Sequence, residues 1–133
     1  MNYAKWLFQW AFLATSATIV SGAVAERLVL SAYAALAVVM ATLAYPMLAH
    51  WAWSSDGALS AFRGDASGSG ALFGCGVLDF AGSGVVHVTG GIAALWAVLL
   101  LGPRESVFFR GGKVHAPPGQ SDALKTLGTL SLW

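Results

Sequence analysis

Charge is what this sequence has least of: Asp, Glu, Lys and Arg together make up 10% of its 133 residues, against roughly 25% in an ordinary soluble domain. The net charge of +1 leaves no basic surface to gather nucleic-acid phosphates and no acidic tail for a cationic partner. Cys75 is the only cysteine, which excludes an internal disulfide framework and any multi-cysteine zinc or iron–sulfur centre. No nucleophile–base pair, paired carboxylates or metal-ligand spacing is visible either, so neither an enzyme nor a cofactor is expected. The glycines at 64, 68, 70, 74 and 76 follow no strand and lack the Lys and Ser/Thr of a phosphate loop, and they read as an aqueous loop. Behind Met1-Asn2-Tyr3-Ala4-Lys5 no small-residue cleavage site follows at the usual distance, so the first apolar run is expected to be retained rather than removed as a secretory signal.

What the chain has in abundance is apolar side chains, at 57%, with six tryptophans. They fall in runs. Residues 6–25 carry no charge and have about the length that crosses a hydrocarbon core of roughly 30 Å as a helix. A second run over 28–53 is interrupted by Pro46 and His50 and is long enough to cross with a tilt or a kink. Residues 54–78 turn polar and glycine-rich. A third span is expected over 80–102, ended by Pro103-Arg104, and a basic, proline-containing loop with Arg104, Arg110, Lys113 and His115 follows. An apolar pattern restarts at 123 and is cut off at 133, so the chain is expected to be an internal piece of a longer one. The fold class expected is all-α, a polytopic transmembrane helix bundle with the lipid bilayer as its solvent. Basic residues follow the first and third spans, which places those turns inside and the glycine-rich loop outside. Small residues along the first span, among them Ser16, Ala17 and Gly22, and Gly90-Gly91 in the third, suit close helix contact where lipid removes the hydrophobic drive.

Five side chains stand out. His87 lies eight residues past Asp79, roughly 12 Å down a helix that starts there, and an ionisable group at that depth is either a path-lining residue or a neutral imidazole bonded to a neighbouring helix. Asp79 is placed to cap the third span's free N–H groups, or to draw cations toward an outer mouth. Phe8 and Phe12 share one face of the first helix, and Trp53 ends the second. These rings serve either as packing and interfacial anchors or as a cation site worth roughly 0.5–2 kcal/mol per ring. His50 reads as a wet interfacial histidine, and Glu26-Arg27 as a helix-end pair that fixes a turn.

Taken in order, Phe8-Gln9-Trp10-Ala11-Phe12, Ile19-Val20-Ser21-Gly22-Ala23-Val24-Ala25-Glu26-Arg27, Tyr45-Pro46 with His50-Trp51-Ala52-Trp53, and Asp79-Phe80-Ala81-Gly82-Ser83-Gly84-Val85-Val86-His87 resemble the ammonium transporter family. Thr89-Gly90-Gly91 and Gly102-Pro103-Arg104 look like its plant and algal type. The resemblance implies an eleven-span fold assembled as a homotrimer, with ammonium or ammonia, and methylammonium, as its solutes, of which this chain would be spans three to five and the start of six. It implies a plasma-membrane location. It also implies that Phe8 and Phe12 match the outer phenylalanine gate, Trp53 the outer cation site, Asp79 the aspartate supporting that site, and His87 the first of two pore histidines. Ammonium would be recruited at the aromatic site, deprotonated and passed along a histidine-lined pore. The other function such a resemblance allows is a membrane receptor that senses ammonium.

Overall fold

The computed structural model describes residues 2–63, 72–103 and 119–133. The chain divides into two compact units, Met1–Gly102 and Pro103–Trp133. The first holds three long helices, α1 (Tyr3–Val24), α2 (Leu30–Trp53) and α3 (Ser83–Leu101), each long and apolar enough to cross a membrane. The second holds α4 (Asp122–Leu132), capped by Ser121, whose Oγ accepts from Leu124 N at 3.3 Å. Its exposed Lys125–Asp122 pair is of the kind that adds little stability. The basic residues Arg104, Arg110, Lys113 and His115, and the glycines at 64, 68 and 70, lie outside the described residues.

Each helix boundary has a local cause. Asn2 opens α1 by accepting from Ala4 N at 3.2 Å. At its far end Arg27 N and Leu28 N both turn back to Val24 O, and the chain reverses into α2. Inside α2, residues Met40–Ala44 take π-helical bonds immediately before Pro46. Proline lacks an N–H, and in a continuous α-helix its ring collides with the carbonyl four residues back. The wider turn relieves that collision, and it is the form taken by the irregularity expected at Pro46.

Helices α1 and α3 run parallel and α2 antiparallel to them. Ser16, buried, meets Gly90, and a Cβ on Gly90 would stand 2.8 Å from Ser16 O and 3.0 Å from Ile19 Cβ. Gly90 therefore serves the close contact expected of it, whereas Gly91 and Gly22 face open space. Replacing Gly90 by alanine is expected to force the α1–α3 seam apart and to lower the detergent-solubilised protein's melting temperature, checked by size exclusion after graded heating. An unshifted melting curve would contradict this reading of the seam.

Two buried clusters hold the three helices together. One joins Ala17, Val20 and Val24 of α1 to Met40 of α2 and Ala94 of α3. The other joins Tyr45 and Ala52 of α2 to Val85 and Val86 of α3, with Phe12, Leu13, Ala49 and Trp53 against them. Large apolar side chains such as Leu30, Leu43, Leu95, Trp96 and Leu100 remain exposed, as expected of helices surrounded by lipid or further helices. At the end of the unit Arg27 reaches the carbonyl of Gly102, just past α3, and Ala23 O at 3.3 Å. The helix-end role expected for Arg27 is thus a tie between two helices.

The segment after α2 folds back on it. Leu59 N donates to Trp51 O at 3.0 Å, and Gly57 lies so close to the carbonyls of His50 and Trp51 that no side chain fits. Val77 N then donates to Leu59 O at 2.7 Å, within a single parallel bridge between Ser60 and Val77. This return delivers Asp79 to the end of α2.

Candidate functional site

Four of the five side chains singled out from the sequence meet at one end of the first unit. Phe8 and Phe12 stack with ring centroids 4.5 Å apart and planes 36° apart. Phe12 in turn presents its ring to Trp53 at 5.7 Å and 86°, an edge-on contact of the kind aromatic quadrupoles favour. The indole N–H of Trp53 donates to the backbone carbonyl of Asp79 at 2.6 Å. With that donor committed, the Trp53 ring offers its faces rather than its polar edge. Phe8 is 55% exposed, whereas Phe12 and Trp53 are half-buried.

Asp79 is 5% exposed, and its carboxylate is saturated. Oδ1 accepts from Gly82 N at 2.9 Å and Ser83 Oγ at 3.3 Å. Oδ2 accepts from Gly84 N at 3.0 Å and Val85 N at 2.7 Å. Burial works to raise its pKa, but the bonds from the Val85, Gly82 and Gly84 amides and the Ser83 hydroxyl together outweigh it and hold the carboxyl below its usual value. Of the two readings open from the sequence, capping is the one this geometry carries. The cap is displaced, however. Phe80–Gly82 are not helical; Gly82 flanks the helix in the left-handed region, at φ 87°, and α3 begins at Ser83. A Cβ on Gly82 would sit 2.7 Å from Val86 Cγ2 and 3.2 Å from Phe12 Cε1, so glycine also lets Phe12 close over the turn.

His87 stands apart from this cluster. It is only four residues into α3, roughly 6 Å along the axis, half the depth obtained by counting from Asp79. Its side chain is exposed on the surface of the unit. Among the described residues no hydrogen-bond partner for its ring is recorded, so the packed and bonded imidazole that the sequence left open is not what this unit contains. His50 is exposed, as expected of a wet residue.

One pair escaped the sequence reading. Tyr45, 3% exposed at the middle of α2, donates its hydroxyl to Gln9 Oε1 at 2.7 Å. Gln9 neighbours Phe8 on α1, so the bond braces the helix that carries both phenylalanines. Both residues fall inside the motifs quoted above, but a pairing 36 positions apart in the chain leaves no local pattern to read.

The model of the Ammonium Transporter Family matches residues 1–133. This chain belongs to that family. It is 46% identical over 132 residues to ammonium transporter 1 member 1 of Arabidopsis thaliana, covering 99% of this chain and 26% of that protein. Against ammonium transporter 1 member 2 of Oryza sativa subsp. japonica the identity is 48%, with the same coverage. Ammonium transporter 1 member 3 of Solanum lycopersicum is 43% identical, over 99% of this chain and 28% of its own length. The chain thus spans about a quarter of the length of the curated relatives it matches. No solved structure gives a significant match. Family membership fits the helical, membrane-length architecture, and the relatives are named as transporters rather than enzymes.

Proposed function

We propose that this chain is part of a membrane subunit that moves ammonium, with Phe8, Phe12 and Trp53 as an outer recruitment site and His87 on the path beyond it. The observation that carries the reading is the continuous run of three aromatic rings at the end of the unit where α3 begins. From there α3 carries His87 inward on a face left exposed among the described residues. An ammonium ion leaving water loses hydration that a dry passage does not return. Ring faces of Phe and Trp replace part of it, at roughly 0.5–2 kcal/mol each. Asp79 contributes by holding the start of α3 and, through its carbonyl, the plane of Trp53; its carboxylate has no oxygen left for the solute.

A neutral imidazole supplies one acceptor and one donor. At His87 the acceptor nitrogen takes a proton from the arriving ammonium, leaving ammonia to go on along the path, and the imidazolium so formed gives that proton up to a following acceptor before the next ion arrives. Spans over residues 6–25, 28–53, 80–102 and 123–133, read from charge-free apolar runs, the outside placement of the glycine-rich loop, read from the basic residues, and a homotrimer and a plasma-membrane address, which rest on the family resemblance, belong to the same proposal.

In the full-length subunit, Phe12→Ala and Trp53→Leu are expected to raise the half-saturation concentration for methylammonium uptake by about 5- to 30-fold, the loss of roughly 1–2 kcal/mol of cation–π attraction. Maximal uptake at equal surface abundance should fall less. An unchanged half-saturation in both variants would remove the aromatic site from the proposal.

A further inference from the structure

His87 sits within a π-helical turn, Ser83–Val88, that opens α3. The consequence for its direction follows from counting. In an α-helix each residue advances about 100°, so seven residues come within about 20° of two full turns. Counted back from the buried Ala94, an unbroken α-helix brings residue 87 onto the azimuth of Ala94, against α1. The structure instead buries Val86, at 1% exposure, and leaves His87 open. The π turn takes up one additional residue, Val86 occupies the seam, and His87 is rotated out of it.

Two sets of bonds hold the turn. At its start the Asp79 carboxylate takes the Gly84 and Val85 amides, while Gly82 O accepts from both Val86 N at 2.9 Å and His87 N at 3.0 Å. At its end Gly84 O accepts from Thr89 N and also from Thr89 Oγ1 at 3.2 Å. A helical threonine ordinarily returns its hydroxyl to the carbonyl three or four residues back, as Thr15 does to Ala11 O and Thr42 to Val38 O. Thr89 reaches five back, to the acceptor that the π register itself uses.

We infer that Thr89 is a positioning residue for His87: its hydroxyl, bonded to Gly84 O, fixes the π register that turns His87 away from the α1–α3 seam. The register stands on this geometry alone; its bearing on transport rests on the proposed function.

The test uses the full-length subunit in membranes, with Cys75→Ser and any other cysteines replaced. Leu13 packs against the cluster that contains Val86, so oxidative cross-linking of Leu13→Cys with Val86→Cys is compared with that of Leu13→Cys with His87→Cys. The pair at 86 is expected to cross-link faster. Thr89→Val should move the ratio toward 87 by roughly fivefold, the effect of losing one neutral hydrogen bond, and Thr89→Ser should restore it. An unchanged ratio in Thr89→Val, or an equal shift in Thr89→Ser, would overturn the inference. If Thr89→Val does not reach the membrane, Thr89→Ala is judged by the same criterion. Uptake supplies the second readout: Thr89→Val should lower the maximal rate and leave half-saturation alone. Normal uptake in His87→Ala would defeat the pore reading while the cross-linking ratio still reports the register, so the two failures are separable.

Discussion

Replacing His87 by alanine in the full-length subunit is expected to abolish ammonium and methylammonium uptake, or to reduce it to a small residue, with assembly and surface abundance unchanged. The separation follows from where the side chain lies. His87 is exposed within its unit and, among the described residues, no partner for its ring is recorded, so truncating it opens no cavity in the two buried clusters. The same truncation removes the imidazole to which the proposed function gives proton exchange with an arriving ammonium. General acid–base groups contribute typically 10²–10⁴-fold to the steps they serve. Tracer uptake in cells lacking their own ammonium transporters, normalised to surface protein, is the measurement. Unaltered uptake at equal abundance would take His87 off the path.

The second large effect is expected at Asp79, and it is of the opposite kind: loss of folded protein rather than loss of rate. Asp79→Asn keeps the shape but replaces one oxygen by an NH2. Whichever way the amide turns, its NH2 faces at least one backbone amide, that of Gly82 in one orientation, where the Ser83 hydroxyl can rotate to accept, and two in the other. With the oxygen toward Gly82 and Ser83, the NH2 meets the Gly84 and Val85 amides. Loss of a helix cap costs about 0.5–2 kcal/mol, and each buried donor left unsatisfied costs about 1–3 kcal/mol more. The asparagine variant should therefore be nearly as damaging as Asp79→Ala, visible as a lowered melting temperature and reduced membrane abundance. Retention of full abundance and melting temperature in the asparagine variant would refute the capping role.

The same carboxylate sets a pH dependence with a definite sign. Its folded pKa lies below the ordinary value of 3.8. A lowered folded pKa means that its stabilisation is fully present above the unfolded value and is lost as pH falls through the folded one. The stabilisation from Asp79 is thus full and unchanging between neutral pH and the ordinary carboxylate range, and is lost from the start of α3 only in stronger acid.

How far the sequence could be read depended on which forces act locally. The three long helices were legible because lipid-compatible segments must be free of charge over a fixed length, and residues 6–25, 28–53 and 80–102 meet that condition. Asp79 was legible as a cap from its place before a glycine-rich helix start, but the number of residues it spans was not. Counting down from Asp79 assumed a helix that begins at once, whereas the carboxylate organises a non-helical turn first, and His87 is correspondingly shallower. Neither π turn announced itself in a period of 3.6, although Pro46 supplied the reason for one. The Trp53–Asp79 and Tyr45–Gln9 bonds, 26 and 36 residues apart in the chain, arise only when helices pack, and no spacing rule anticipates them. The aromatic run lay between these cases: the Phe8–Phe12 pair was readable as a helical i, i+4 contact, but Trp53 joined it through the fold.

The Arg27 tie carries a mechanical consequence. A guanidinium presents several N–H donors in a fixed fork, so Arg27 holds Ala23 O and Gly102 O at once and joins the end of α1 to the end of α3. Together with the tight crossing of Ser16 on Gly90, it fastens the two parallel helices along the half of their length remote from the aromatic rings. At the other extremity the hold is of a different kind, Phe12 closing over the Gly82 turn while Tyr45 holds Gln9 and Trp53 holds the Asp79 carbonyl.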